Sequence, residues 1–407
     1  MKKTTMRKYA RLLARKGVNV QKGQEVFITA ELDQPEFVRM LTEECYRAGA
    51  ARVVVDWSDS ALTRLHIRHR SRKVLSELTS YELEKWKYQA DKLPCRIYLV
   101  SEDPDALAGV DVRKLAQSQQ AKMKVIKPIR DTMENRYQWC IAAVPGEAWA
   151  KKLFPDLTRR AAVERLWEAI LRGARADGED PMAAWDAHNE ALAKRCEYLN
   201  GLGIRELHYT ASNGTDLRVG LMEGSVFMAG GEYTEQGVYY NPNIPSEEAF
   251  TTPKRGCAEG IVYASMPLSY NGQLIENFSV RFEGGRATEV KAEKGEEVLS
   301  EMIAMDEGAA YLGEVALVPY DSPIRESGIL FYNTLFDENA ACHLALGRGF
   351  TGCLRDYGKY TQEQIAEMGV NDSIIHVDFM IGTSDLTVTA LCRDGREVPI
   401  FKNGTWA

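Results

Sequence analysis

Long apolar runs are missing from this chain of 407 residues: nothing approaches the roughly 20 consecutive apolar residues that a membrane-spanning helix requires. The opening MKKTTMRKYARLLARKG carries early lysines but no apolar stretch or small-residue cleavage site behind them, which disfavours a secretory signal peptide. There is no block of Lys and Arg. With 51 basic against 58 acidic residues the net charge is −7, so neither nucleic acid nor an anionic membrane is an expected partner. No Walker-type loop occurs and no GxGxxG closes a strand-to-helix turn, leaving nucleotide binding without support. The eight cysteines form no CxxC pair and no compact framework, as expected of reduced thiols in a cytoplasmic protein.

What is present is ordinary globular composition, 45% hydrophobic and 27% charged, which disfavours disorder and fibrous repeats. The first half alternates short β-rich runs (QEVFITA from Gln24, ARVVVDW from Ala51, RIYLVS from Arg96, WCIAAV from Trp139) with amphipathic helical stretches. That alternation implies crossover units and a mainly parallel sheet. From about Lys151 to Tyr198 the pattern is helical. Beyond it the turn signals Asn213-Gly214, Asn271-Gly272 and Gly284-Gly285 join antiparallel runs, with helices expected at Gly295 to Asp306 and Asn339 to Leu346. The expected architecture is an N-terminal α/β scaffold domain over residues 1–200 and a C-terminal α+β catalytic domain over 201–407.

Only six histidines exist, so each one beside acidic residues in an apolar setting is informative. In SIIHVDFMI, His376 and Asp378 share one face of a strand while Ile375, Val377 and Phe379 take the other. A metal site, a His–Asp hydrogen bond and an exposed edge face would each accommodate that pair. His343 lies in the helical pattern DENAACHLALGRG, where a core histidine is the ordinary reading. Glu314 opens the run EVALVP, and Glu247-Glu248 follows the stiff approach NPNIPS. A strand-start Glu and adjacent acids are ordinarily solvated. Together, three carboxylates and two imidazoles in one domain suit Zn, Mn or Co, and a carboxylate bridging two such ions would hold a water of lowered pKa.

These residues sit in stretches that resemble the thermophilic-type aminopeptidases, metallopeptidase family 29. The likeness runs through YARLLARKGVNVQKGQ, NPNIPSEEAFTTPKRGCAEG, GQLIENFSVRFEGGRATEV, LGEVALVPYDSPI, LFDENAACHLALGRG and HVDFMIG, in order along essentially the whole chain. The resemblance implies exopeptidases that release N-terminal residues from peptides with two divalent ions in the C-terminal domain, as homodimers. Carried over, it makes Glu248, Glu314, His343, His376 and Asp378 the metal ligands, Glu247 remaining the alternative to Glu248; in the chemistry two ions would perform there, Glu314 or Glu248 would bridge and Glu247 could pass the proton to the leaving amine.

The sequence departs from the family at one position. The family pattern HxALGxxY places a tyrosine regarded as catalytic where this chain, in HLALGRGF, has Phe350. A phenolic donor to a developing oxyanion is typically worth about 2.7–4 kcal/mol of barrier. Tyr357 or Tyr360 could replace it, the metals alone could suffice, or activity could be weak or altered. Two alternatives to the peptidase therefore stand: a dinuclear amidase or dipeptidase of changed specificity, and a weakly active or non-catalytic binding homologue.

Overall fold

The computed structural model describes residues 1–407, Val112 by its place in a helix alone. Contacts divide the chain into two compact units, Met1–Ala187 with Gly231–Ser246, and His188–Gly230 with Glu247–Ala407.

The first unit is built on a parallel sheet. Strands β1 (Glu25–Glu31), β2 (Arg52–Ser58), β3 (Cys95–Val100) and β4 (Trp139–Ala143) run in the order β2-β1-β3-β4, with the short strand Asn243–Ile244 beside β4. Every pairing is parallel. Each crossover carries helix, as parallel strands require. The first of these, Pro35–Ala48, starts on a proline in its first turn and stops at Gly49, whose φ of 115° only glycine adopts readily. The helical reading after Lys151 corresponds to the helices Glu147–Leu153, Arg159–Gly173 and Pro181–Gly201. Among the described residues no helix is long and apolar enough to cross a membrane.

The second unit is antiparallel. A nine-stranded sheet includes Ile204–Thr210, Asp216–Leu221, Pro253–Tyr263, Gln273–Glu283 and Arg286–Lys294. Its hairpins close where the turn signals stand: Asn271 and Gly272 both have positive φ, 49° and 71°, as do Gly284 and Gly285.

A separate four-stranded sheet holds most of the candidate ligands. It consists of β5 (Ala249–Thr251), β6 (Leu312–Leu317), β7 (His343–Gly347) and β8 (His376–Met380), antiparallel and in that order. The expected helix from Asn339 to Leu346 is therefore wrong. A helical turn at Thr334–Asp337 and a 3-10 turn at Glu338–Ala340 end at Ala341, which is extended at φ −162° and ψ 160°, and His343 begins a strand. Alanine and leucine favour helix locally, but every residue of β7 is buried between two partner strands, and that packing overrides propensity.

Candidate metal centre

The register of the four-stranded sheet sorts its side chains into two faces. Ala316 pairs with His343, Glu314 with Ala345, Ala345 with Asp378 and Gly347 with His376. Phe250 pairs with Ala316, and Glu248 precedes Phe250 by one strand period. Glu248, Glu314, His343, His376 and Asp378 consequently share one face. The opposite face, with Ala249, Val315, Leu317, Leu344, Leu346, Val377 and Phe379, belongs to the main hydrophobic core of the unit. A β-bulge between Leu312 and Glu314 seats the latter carboxylate.

The five side chains form two groups with Glu314 in both. Glu248, Glu314 and His343 each offer a ligand atom within 4.8 Å of the others, and so do Glu314, His376 and Asp378. His343 Nε2 lies 3.1 Å from Glu248 Oε2, and His376 Nε2 lies 3.1 Å from Glu314 Oε2 and 3.4 Å from Asp378 Oδ1. The other ring nitrogen of each histidine is anchored on backbone: His376 Nδ1 donates to the Arg348 carbonyl at 2.7 Å and His343 Nδ1 to that of Ala341 at 3.2 Å. These anchors fix the tautomer and turn Nε2 toward the carboxylates, the outer-shell arrangement of metal-binding histidines. Glu314 and Glu248 are buried, against the ordinary expectation for a strand-start or paired acid.

Electrostatics in the cluster are governed by burial and by the density of carboxylates. Burial pushes the Glu314 carboxyl up to about 7, with the His376 hydrogen bond opposing and the Glu248 charge adding to the shift. Burial is the largest single influence on His343 and presses it down, but the bond to Glu248 and the charges of Glu248, Glu314 and Asp378 together outweigh it and take the group to about 10. His376 is likewise carried well above the usual imidazole range by Asp378 and Glu314, against burial. Asp378, despite its burial, is held below the usual carboxylate range by His376. The cluster calls for positive charge. Asp378 Oδ1 is moreover buried without a hydrogen bond: His376 Nε2 stands 3.4 Å away as its charge partner but is hydrogen-bonded to Glu314 Oε2, which leaves this oxygen's lone pairs open to a further cation. Three carboxylates, two oriented imidazoles and an unsatisfied oxygen fit divalent metal ions.

Two residues here were not picked out from the sequence. Glu338 is buried, and burial together with the charges of Asp378 and Glu248 raises its carboxyl well above the usual range. Asn339, fully buried, accepts the Glu247 N–H on Oδ1 at 2.6 Å while its Nδ2 donates to Leu335 O at 2.8 Å. The sequence signal for both was only their place in DENAACH, five and four residues before His343. Glu247 itself is buried, with its carboxylate 4.0 Å from His188 Nε2.

Residues 2–406 match the family described as thermophilic metalloprotease (M29). The chain belongs to the M29 family. It is 42% identical to aminopeptidase T of Thermus thermophilus over 405 residues, covering 99% of this chain and 98% of that one. It is 40% identical to aminopeptidase 2 of Geobacillus stearothermophilus over 401 residues, 98% and 97% of the two chains. The solved structure of wild-type AmpT from Thermus thermophilus superposes with a TM-score of 0.89 at 40% identity, covering 100% of this chain and 99% of that chain. The family resemblance of the quoted motifs is thus shown, and with it a metal-dependent peptidase.

In this M29 peptidase the Phe350 ring lies against one of the candidate ligands, its centroid 4.8 Å from that of the His376 imidazole. The tyrosines considered as substitutes are placed elsewhere. Tyr357 packs on the small core of Met222, Leu354, Ile365 and Val370, and Tyr360 is exposed.

Proposed function

We propose that the chain is an aminopeptidase that hydrolyses the first peptide bond of its substrates with two divalent ions, Zn, Co or Mn, both of which Glu314 would help to hold. The observation that carries this reading is the membership of Glu314 in both ligand groups. Glu248 and His343 would hold one ion, His376 and Asp378 the other. Such a pair of ions supplies an activated water and polarises the scissile carbonyl. The protein's own groups do the rest. The Ala341 and Arg348 carbonyls keep both imidazoles aimed at the cluster. Asn339 fixes the backbone of Glu247, and we assign the Glu247 carboxylate the transfer of a proton to the leaving amine. The acidic face attracts the free amine that defines an exopeptidase substrate. The relatives called aminopeptidases support this assignment. A homodimer in the cytoplasm completes the reading, and light scattering on the purified protein tests its size.

A second reading is kept by one observation, the position of Phe350. A ring without a hydroxyl beside His376 leaves the oxyanion one donor short, which favours a slower dinuclear amidase or dipeptidase, or a homologue that binds without turnover. Elemental analysis, paired with release of N-terminal residues from a mixed peptide library before and after chelation and re-addition of Zn, Co or Mn, separates these readings. Two ions per chain and chelator-sensitive release are expected. Two ions without release would transfer the assignment to the second reading, and absence of bound metal would overturn both.

A further inference from the structure

The open side of the cluster is marked by exposure: the His376 side chain is 26% accessible, against 6% for Glu314, 8% for Glu248, 1% for His343 and 10% for Asp378. Against the most exposed of the five, His376, packs Phe350, half-buried, its ring tilted 51° to the imidazole. Behind it Phe250 meets the ring edge-on at 5.5 Å and 71°. Phe250, Ala316 and Cys353 form one apolar cluster, with Met228 and Phe350 packed on it. Two of its members adjoin ligands along the chain, since Phe250 follows Glu248 and Ala316 follows Glu314 by one strand period on the same face. An apolar wall is therefore built directly into the metal-binding face. Phe350 is also fixed in place: the hydroxyl of the buried Thr252 accepts its N–H at 2.7 Å and donates to its carbonyl at 3.2 Å.

We propose that Phe350, backed by Phe250 and Met228, is a specificity-determining residue that receives the side chain of the substrate's N-terminal residue and selects large apolar ones. The proposal rests on the aminopeptidase reading and names its substrate class. A residue whose amine and carbonyl are held at the cluster carries its side chain on the carbon between them, within a few ångströms of His376. The Phe350 ring, 4.8 Å from the His376 imidazole between centroids, is an apolar surface at that distance, and the side chains behind it offer only carbon and sulfur. Pockets of this kind discriminate about 10–200-fold for a methylene-scale difference.

The test uses the metal-loaded, full-length protein and two readouts. The first is kcat/KM for amino-acid p-nitroanilides with Gly, Ala, Leu, Phe or Lys, and for Leu-Xaa dipeptides. The second is calorimetric binding of L-leucine hydroxamate against glycine hydroxamate, which needs no turnover. Phe350→Ala is expected to lower the Leu-to-Ala ratio of kcat/KM, and the leucine-to-glycine binding ratio, by about tenfold or more. Phe350→Tyr should keep both ratios, Met228→Ala should lower them less, and the order among Leu-Xaa dipeptides should not change. An equal loss for every substrate, or a shift seen only in the Leu-Xaa series, would overturn the assignment. Met228→Ala, with unchanged metal content as its control, provides the answer if Phe350→Ala does not fold. The two proposals fail separately: absence of hydrolysis with an intact leucine preference in binding removes the peptidase reading alone, whereas unaltered ratios in the variants remove the role of Phe350 alone.

Discussion

The Glu247 backbone N–H donates to Oδ1 of Asn339 at 2.6 Å, tying the residue before the ligand candidate Glu248 to the turn that leads into His343. Asn339 is fully buried and uses its amide on both sides, so its removal strands a buried N–H at a cost of about 1–3 kcal/mol. Outer-shell changes of this type typically weaken metal binding by about 10–100-fold. Asn339→Ala is therefore expected to lower both Tm and metal affinity, while Asn339→Asp keeps the acceptor and adds a negative charge to an acidic neighbourhood. Differential scanning calorimetry with a competitive chelator titration measures both effects, and unchanged affinity in the alanine variant would show that Asn339 acts on the fold alone.

Metal uptake should expel protons. His343, held at about 10 by Glu248 against burial, is an imidazolium at neutral pH, and its Nε2 must lose that proton before it can bind an ion. His376, carried well above the usual imidazole range by Asp378 and Glu314, must lose its proton likewise, and Glu314, raised to about 7 chiefly by burial, adds a further one below that pH and none well above it. Affinity should consequently rise with pH throughout the neutral range, and more protons should leave per ion at pH 6 than at pH 8.5. Calorimetric titrations of Zn in buffers of different ionisation enthalpy count those protons; heats that do not depend on the buffer would contradict this assignment of charge.

The site was legible in the sequence to different depths. His376 and Asp378 could be placed on one face because strand alternation is local and the flanking Ile375, Val377 and Phe379 are strongly apolar. The turns at Asn271-Gly272 and Gly284-Gly285 were readable because positive φ demands those residue types. His343 was misplaced in a helix because ACHLAL carries helix-forming residues, and only pairing with β6 and β8 extends it. Glu338 gave no periodic signal: a 3-10 turn delivers it to the cluster, and turns of that kind have no sequence period to recognise. The two compact units exchange the segment Gly231–Ser246, a return that depends on long-range contacts and leaves no mark in composition.

Gly347 bounds the cluster by necessity. Its φ is 103°, and a Cβ there would stand 2.2 Å from the carbonyl oxygen of Ile375, which adjoins His376. Gly347→Ala must either distort its own backbone or push β8 outward, and β8 carries both His376 and Asp378. The expected result is a protein that retains its secondary structure but loses metal held by His376 and Asp378. Circular dichroism combined with elemental analysis tests this, and full metal content in the variant would show that the strand yields without moving its side chains.

Asp337 should give stability a pH dependence of its own. Its carboxyl accepts the backbone N–H groups of Phe331 at 2.8 Å and Asn333 at 3.0 Å, yet burial outweighs those bonds and raises it from 3.8 to about 7. The folded protein thus binds this proton more tightly than the unfolded chain. The stabilisation is complete below pH 3.8 and is lost as pH rises through about 7. Asparagine cannot ionise, so Asp337→Asn removes that slope, but its Nδ2 cannot accept, which leaves one N–H without a partner at a constant cost of about 1 kcal/mol. The variant should be less stable than the parent at pH 5, and the deficit should shrink or reverse by pH 8. Comparing the two Tm values across that range cancels the titration of all other groups, and a deficit independent of pH would mean that Asp337 stays ionised in the folded protein throughout.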